Sequence, residues 1–170
     1  ENDLTGKHVI EKNFLENFLL SGSNGKIPEG MVPMCYPSDH PDGNFIPNWG
    51  MWLVLQIEEY LMRSGDMHLV LGMQSKIRKM ISYLHKFRNE LGLLENLDGW
   101  IFVEWSKAND FVQDVNFPTN MLYAAMLDSA GRLYQDVVLR KEAEQIRKVI
   151  SQFAFDGQFF VDNALRKENK

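Results

Sequence analysis

The residues able to do chemistry gather in two stretches, 21–47 and 92–118, which are rich in Gly and Pro and lack helical periodicity. They hold Glu29, Asp39, Asp42, Glu95, Asp98, Glu104, Asp110 and Asp114, and all four tryptophans, Trp49, Trp52, Trp100 and Trp105, lie in or beside them. Carboxylates accept hydrogen bonds from sugar hydroxyls, and a flat ring packs on the apolar face of a pyranose, so the combination suits a carbohydrate. Hydrolysis of a glycosidic bond would need two carboxyl groups across it.

Each residue also has a plainer reading. Trp52, in the first turns of a helix, reads as core. Trp49, at a loop–helix junction, is balanced between core and site. Glu104 sits between Val103 and Trp105 in an apolar run, where an unpaired acid is costly; it fits an ion pair with an Arg as well as a ligand contact. Asp98-Gly99 reads as a turn. Asp39, His40 and Asp42 read as a solvated turn rather than a metal site. Asn48 and Asn116, just ahead of helices, read as caps. No motif calls for a metal or a cofactor.

The elements that must position these residues are helical. Apolar residues recur at helical spacing over 4–20 (Phe14, Leu15, Phe18), 47–63 (Trp49, Trp52, Leu53, Ile57, Tyr60), 67–91 (Ile77, Met80, Ile81, Leu84), the stretch after Phe117-Pro118-Thr119, and 138–153 (Ala143, Ile146, Val149, Ile150). Segments two and three join through Ser64-Gly65-Asp66, and four and five through Gln135-Asp136. Tight connections alternate with the long stretches, so the spacing predicts antiparallel helices with both long loops at one end. Asp66 and Asp136 open similar segments, Ile77-Arg78-Lys79-Met80-Ile81 and Ile146-Arg147-Lys148-Val149-Ile150, and mark a repeat of one hairpin plus one long loop. Asp3 takes the same place in a first copy that lacks its first arm. The fold expected is all-α: antiparallel helical hairpins, part of a larger toroid, with short β pieces in the loops at 100–105 and 159–162.

Composition sets the outer bounds. The chain has 170 residues, 45% hydrophobic and 24% charged, with a net charge of −5. That supports one core of domain size and excludes intrinsic disorder. The acidic balance argues against nucleic acid, and no apolar run approaches membrane-spanning length. The single Cys35 excludes an internal disulfide framework. The chain does not begin with Met and reads as a mature or excised piece.

Ile46-Pro47-Asn48-Trp49, with Trp52, Tyr60 and Ser64-Gly65-Asp66, resembles the middle of the bacterial α-L-rhamnosidase catalytic domain. So does Gly99-Trp100-Ile101-Phe102-Val103-Glu104-Trp105, followed by Asn120-Met121-Leu122-Tyr123-Ala124-Ala125-Met126-Leu127. Phe155-Asp156-Gly157 and Phe160-Val161-Asp162-Asn163-Ala164 form a third block, in the family's order. Two positions depart: Asn48 and Glu104 stand where the family often has Asp. The resemblance implies an (α/α)6 barrel and, for a full-length bacterial protein, inverting hydrolysis of terminal α-L-rhamnosides. It places the Arg-rich Asp-Gly motif that bears the acid before Glu1 and the general base after Lys170. Residues 1–170 would then be one partial domain, the middle hairpins, inactive alone, and would supply a sugar-facing wall. For that wall Trp49, Glu104 and Trp105 are nominated, with Asp42 and Trp100 beside them. The expected partner is a rhamnose-containing glycan or glycoside, with no nucleic acid and no membrane. Open barrel edges bearing Phe14, Phe18 and Phe153 would favour self-association. The compartment stays open between periplasm, exterior and cytoplasm. Two other readings stand beside this one: another six-hairpin glycosidase, or a non-enzymatic helical repeat module that binds protein. Long alternate connections count against the second, since tetratricopeptide arrays use tight turns throughout.

Overall fold

The computed structural model describes residues 6–20, 26–35, 43–105, 112 and 114–163. Asp3, Asp39, His40, Asp42 and Asp110, singled out above, lie outside the described residues. Five helices follow in order: α1 (Val9–Leu20), α2 (Pro47–Ser64), α3 (Met67–Leu84), α4 (Phe117–Leu133) and α5 (Val137–Phe153). A 3-10 turn, His85–Phe87, extends α3.

Local chemistry sets most boundaries. Pro47 and Pro118 occupy first-turn positions, where the missing N–H costs nothing. Gly65 ends α2 in the left-handed region (φ 70°) with its N–H on Leu61 O. Asp66 then caps α3 by accepting the Leu69 N–H at 3.2 Å. Asn116 caps α4 through Thr119 N at 2.9 Å, and Asp136 caps α5 through the N–H groups of Val138 and Leu139. The third helix is shorter than its periodicity predicts. Arg88 turns extended, and the Asn89 carboxamide takes the N–H groups of Leu91 and Leu93, offering the backbone a turn in place of another helical turn.

Long-range pairs give the layout. In α2 and α4, Asn48 meets Thr119 in the first turns and Glu58 meets Arg132 near the far ends, so the two run parallel. Lys12 reaches Asp66 and Lys76 reaches Phe18 O, which sets α1 parallel to α3; Arg78 with Asp136 and His85 with Glu142 set α3 parallel to α5. Hence α1, α3 and α5 run one way and α2 and α4 the other. Both tight turns share one end, and the starts of α2 and α4, fed by the long loops, share the other.

The core lies between the layers. Met51, Val54, Ile57 and Tyr60 from α2 close on Val70, Met73, Ile77 and Met80 from α3, and on Tyr123, Leu127 and Ala130 from α4. Each such side chain contributes about 1.5–3 kcal/mol on burial. Ala143, Ile146 and Ile150 form the buried stripe of α5. Phe18, expected at an open edge, is buried instead, with its ring against Phe14; Phe14 and Phe153 are exposed.

The β expectation is not met as strands. Among the described residues only isolated bridges occur, Arg88 with Leu94, Asn116 with Asn163 and Phe155 with Phe160. The stretch 100–105 has no regular structure and forms no strand pairing; the N–H groups of Trp100, Phe102 and Trp105 find other partners, described below.

Candidate functional site

The two long loops meet at the start of α2. Trp100 N donates to Phe45 O at 3.0 Å, and Phe102 N donates to the Asn48 carboxamide oxygen at 3.3 Å. Gly99 permits this approach: it is left-handed (φ 86°), and a Cβ there would lie 2.9 Å from Phe45 O. Tyr83 holds the same corner from α3. Its hydroxyl donates to Asp98 at 3.2 Å, and its ring meets Phe45 edge-on. Burial, with the Asp98 charge beside it, pushes the Tyr83 hydroxyl up to about 12, so it stays a proton donor.

This junction presents a ring array. Phe102 lies at its centre, with ring centroids 6.4 Å from Trp49, 5.5 Å from Trp100 and 5.0 Å from Trp105, all near-perpendicular. Trp100 and Trp105 meet at 6.4 Å. The array is open: Trp49 is 44% exposed, Trp100 50% and Trp105 81%. Glu104 is exposed on the same segment and accepts the Trp105 N–H at 2.6 Å. Flat apolar rings beside a carboxylate can stack on a pyranose and accept its hydroxyls.

Four of the five nominated residues, Trp49, Trp100, Glu104 and Trp105, therefore fall in one place. Asp42 lies outside the described residues. Trp52 departs from its core reading and is 59% exposed. One helical face cannot hold everything: Leu53, Ile57 and Tyr60 turn inward, and Trp49 and Trp52, three residues apart, turn out. Asn48 is not a cap. Ile46 holds that position with no side-chain bond, and Asn48, 2% exposed, spans from Phe102 N to Thr119 Oγ1 (3.1 Å). Glu29 is drawn away to Lys79 on α3, at 2.9 Å, where the hydrogen bond and the charge of Lys79 hold its carboxyl below the usual range. Asp114 closes its loop through its backbone: its carbonyl accepts the Asn96 N–H, and its N–H donates to the Asn96 carboxamide oxygen, both at 3.2 Å.

Sequence reasoning missed one participant. Phe102 carries no chemistry of its own, and only its place in the alternating run hinted at a role. The Phe155–Phe160 ring pair tops a turn held by Asp156, and the segment after it returns to the start of α4 through Asp162 O and Phe117 N at 2.9 Å. Among the described residues no cluster of three His, Cys, Asp or Glu could hold a metal ion, and no helix is long and apolar enough to cross a membrane.

Alternate helices run parallel, and the ring-bearing loops share one end, so the chain is a set of antiparallel helical hairpins with its candidate site at the loop end. The sequence matches the bacterial alpha-L-rhamnosidase six-hairpin glycosidase domain over residues 9–138, and the chain belongs to that family. A rhamnosidase from Klebsiella oxytoca with rhamnose bound superposes at a TM-score of 0.77, with 19% identity, over 96% of this chain and 33% of that one. A GH78-family rhamnosidase of Bacillus sp. GL1 superposes at 0.72, with 17% identity, over 94% of this chain and 17% of that one. The chain thus spans a third or less of the length of these structures, and they share its fold. No curated protein sequence matches it.

Proposed function

We propose that the chain supplies part of the sugar-binding wall of a glycoside hydrolase that removes terminal α-L-rhamnose with inversion. In this reading residues 1–170 are one partial domain, the middle hairpins of the barrel. The observation that carries it is the open array of Trp49, Trp100, Phe102 and Trp105 where two long loops meet. Family membership and the rhamnose bound by the Klebsiella oxytoca neighbour support the choice of sugar.

The chemistry divides accordingly. Inversion needs one carboxylic acid to protonate the leaving oxygen and a separate carboxylate to activate water. The resemblance assigns both to motifs not found in these residues, and the carboxylates here form no such pair that we can identify. What this chain does is bind and orient. Ring faces cover the apolar side of the sugar, and Glu104 accepts from its hydroxyls.

The test is a titration of the full chain with L-rhamnose, followed by tryptophan fluorescence. A saturable response is expected, and Trp49→Ala weakens it several-fold through lost stacking, about 0.5–1.5 kcal/mol. Leu71→Ala, on an exposed part of α3, leaves it unchanged. Absence of any saturable response in the unaltered chain sinks the proposal. A companion assay on an aryl α-L-rhamnoside is expected to show no turnover. Turnover that disappears in Glu104→Gln would make Glu104 catalytic and overturn the division of labour.

A further inference from the structure

The ring array has no strand to hold it. Trp100, Phe102 and Trp105 lie on an irregular segment among whose described residues there is no ladder pairing. Contacts from its backbone N–H groups to other elements replace the ladder. One is Trp100 N to Phe45 O, between two loops. Another is Phe102 N to the Asn48 carboxamide oxygen, which ties the backbone at the centre of the array to a helix.

We propose that Asn48 is a positioning residue for the sugar-binding array, acting through the backbone of Phe102; this rests on the reading of the array as a sugar wall. Its placement suits the role. Asn48 is 2% exposed, in the first turn of α2, one residue before Trp49. Its amide group donates to Thr119 Oγ1 at 3.1 Å, which fixes the carboxamide plane and aims the oxygen at Phe102. Thr119 is itself set by Asn116, the cap of α4, whose side chain also reaches Asp162 O at 3.4 Å. Asn48 thus locates the array relative to two helices. Phe102 touches three indoles, so a shift of its backbone moves every neighbouring ring. A buried carboxamide with both ends bonded is the kind of group that specifies one geometry.

The test follows the Phe102 amide by hydrogen exchange in the full chain, beside the L-rhamnose titration. Asn48→Leu keeps the volume and removes the acceptor. The Phe102 N–H should then exchange roughly ten-fold faster or more, and rhamnose affinity should fall about five-fold, with the helical circular dichroism unchanged. Asn48→Asp keeps an acceptor for Phe102, and its second oxygen can accept from the Thr119 hydroxyl. It should restore Phe102 protection and most of the affinity. Unaltered exchange in Asn48→Leu overturns the proposal, as does faster exchange with undiminished affinity. If Asn48→Leu loses its helical signal, Thr119→Val decides: it frees the carboxamide to rotate, and unchanged Phe102 protection there counts against the assignment. Should the unaltered chain bind no rhamnose, the sugar reading fails, and the exchange data still decide whether Asn48 positions Phe102.

Discussion

Asp66 takes the Lys12 ammonium of α1 at 2.7 Å, the Leu69 N–H as the cap of α3, and the Tyr60 hydroxyl of α2 at 3.0 Å. Led by the Lys12 bond, these partners bring its carboxyl from an ordinary 3.8 to about 2. A carboxylate whose folded value is depressed stabilises fully above its unfolded value, and that contribution disappears as pH falls through the folded one. The window is therefore pH 4 to 2. Asp66→Asn keeps the cap but loses the attraction to Lys12. Its urea midpoint should lie below that of the unaltered chain at pH 7 and change less between pH 4 and 2; parallel profiles would remove Asp66 from the acid response. Such caps were legible in the sequence because their partners lie two or three residues away. The candidate site was legible in part, since the Trp-rich stretches that meet there could be read as stacking surfaces. Asn48 was not, because its partners are 54 and 71 positions off and a local rule offered a cap instead.

At the scale of elements, the α4–α5 hairpin depends on a close approach. A Cβ on Gly131 would lie 2.9 Å from Asp136 O and 2.4 Å from Arg140 Cγ. Ala in place of Gly in a helix gains about 1 kcal/mol of propensity. Overpacking against backbone costs about 1–3 kcal/mol. The Asp136 carbonyl belongs to the cap of α5 and cannot move freely, so packing should win. Gly131→Ala is expected to lower the melting temperature, and a rise would show that the turn yields. Three of the five helix spans were readable because apolar periodicity and turn chemistry agree in them; the first, expected from position 4, begins at Val9. The third overran because Asn89 competes for the backbone with its side chain, a local choice that periodicity does not weigh. The stretch 100–105 was read as strand from its alternation. Alternation reports which side chains face inward, not what the N–H groups bind, and here those of Trp100 and Phe102 go to Phe45 O and Asn48.

For the molecule as a whole, the tight-turn end carries a clamp between hairpins. Glu58 of α2 takes the Nε and Nη2 groups of Arg132 in α4 with its two oxygens, the second at 2.7 Å. Asp128 adds Arg132 at 2.7 Å, Arg147 of α5 at 3.0 Å and Arg140 at 3.6 Å. Burial works against the Asp128 charge, yet hydrogen bonds from Arg147 and Arg132 hold its carboxyl below the usual range. The alternation of short and long connections told which ends of the helices meet. It could not tell that positions 58 and 132 pair, since 74 residues separate them. Single exposed ion pairs are worth about 0–1 kcal/mol, but one carboxylate serving three arginines couples several. Asp128→Asn should therefore cost about 1–2 kcal/mol, less at high salt. Thr119 and Arg132 lie in the first and last turns of α4, roughly 20 Å apart at helical rise. In the double variant Asp128→Asn with Trp49→Ala, the stability change should equal the sum of the two single-variant stability changes, and the rhamnose-affinity change the sum of the two single-variant affinity changes, each to within about 0.5 kcal/mol. The check is urea unfolding and the rhamnose titration on both single variants and the double. A larger coupling would mean that the clamp end reaches the site through α4, and that the toroid wall behaves as one elastic body rather than as a rigid frame carrying a separate binding surface.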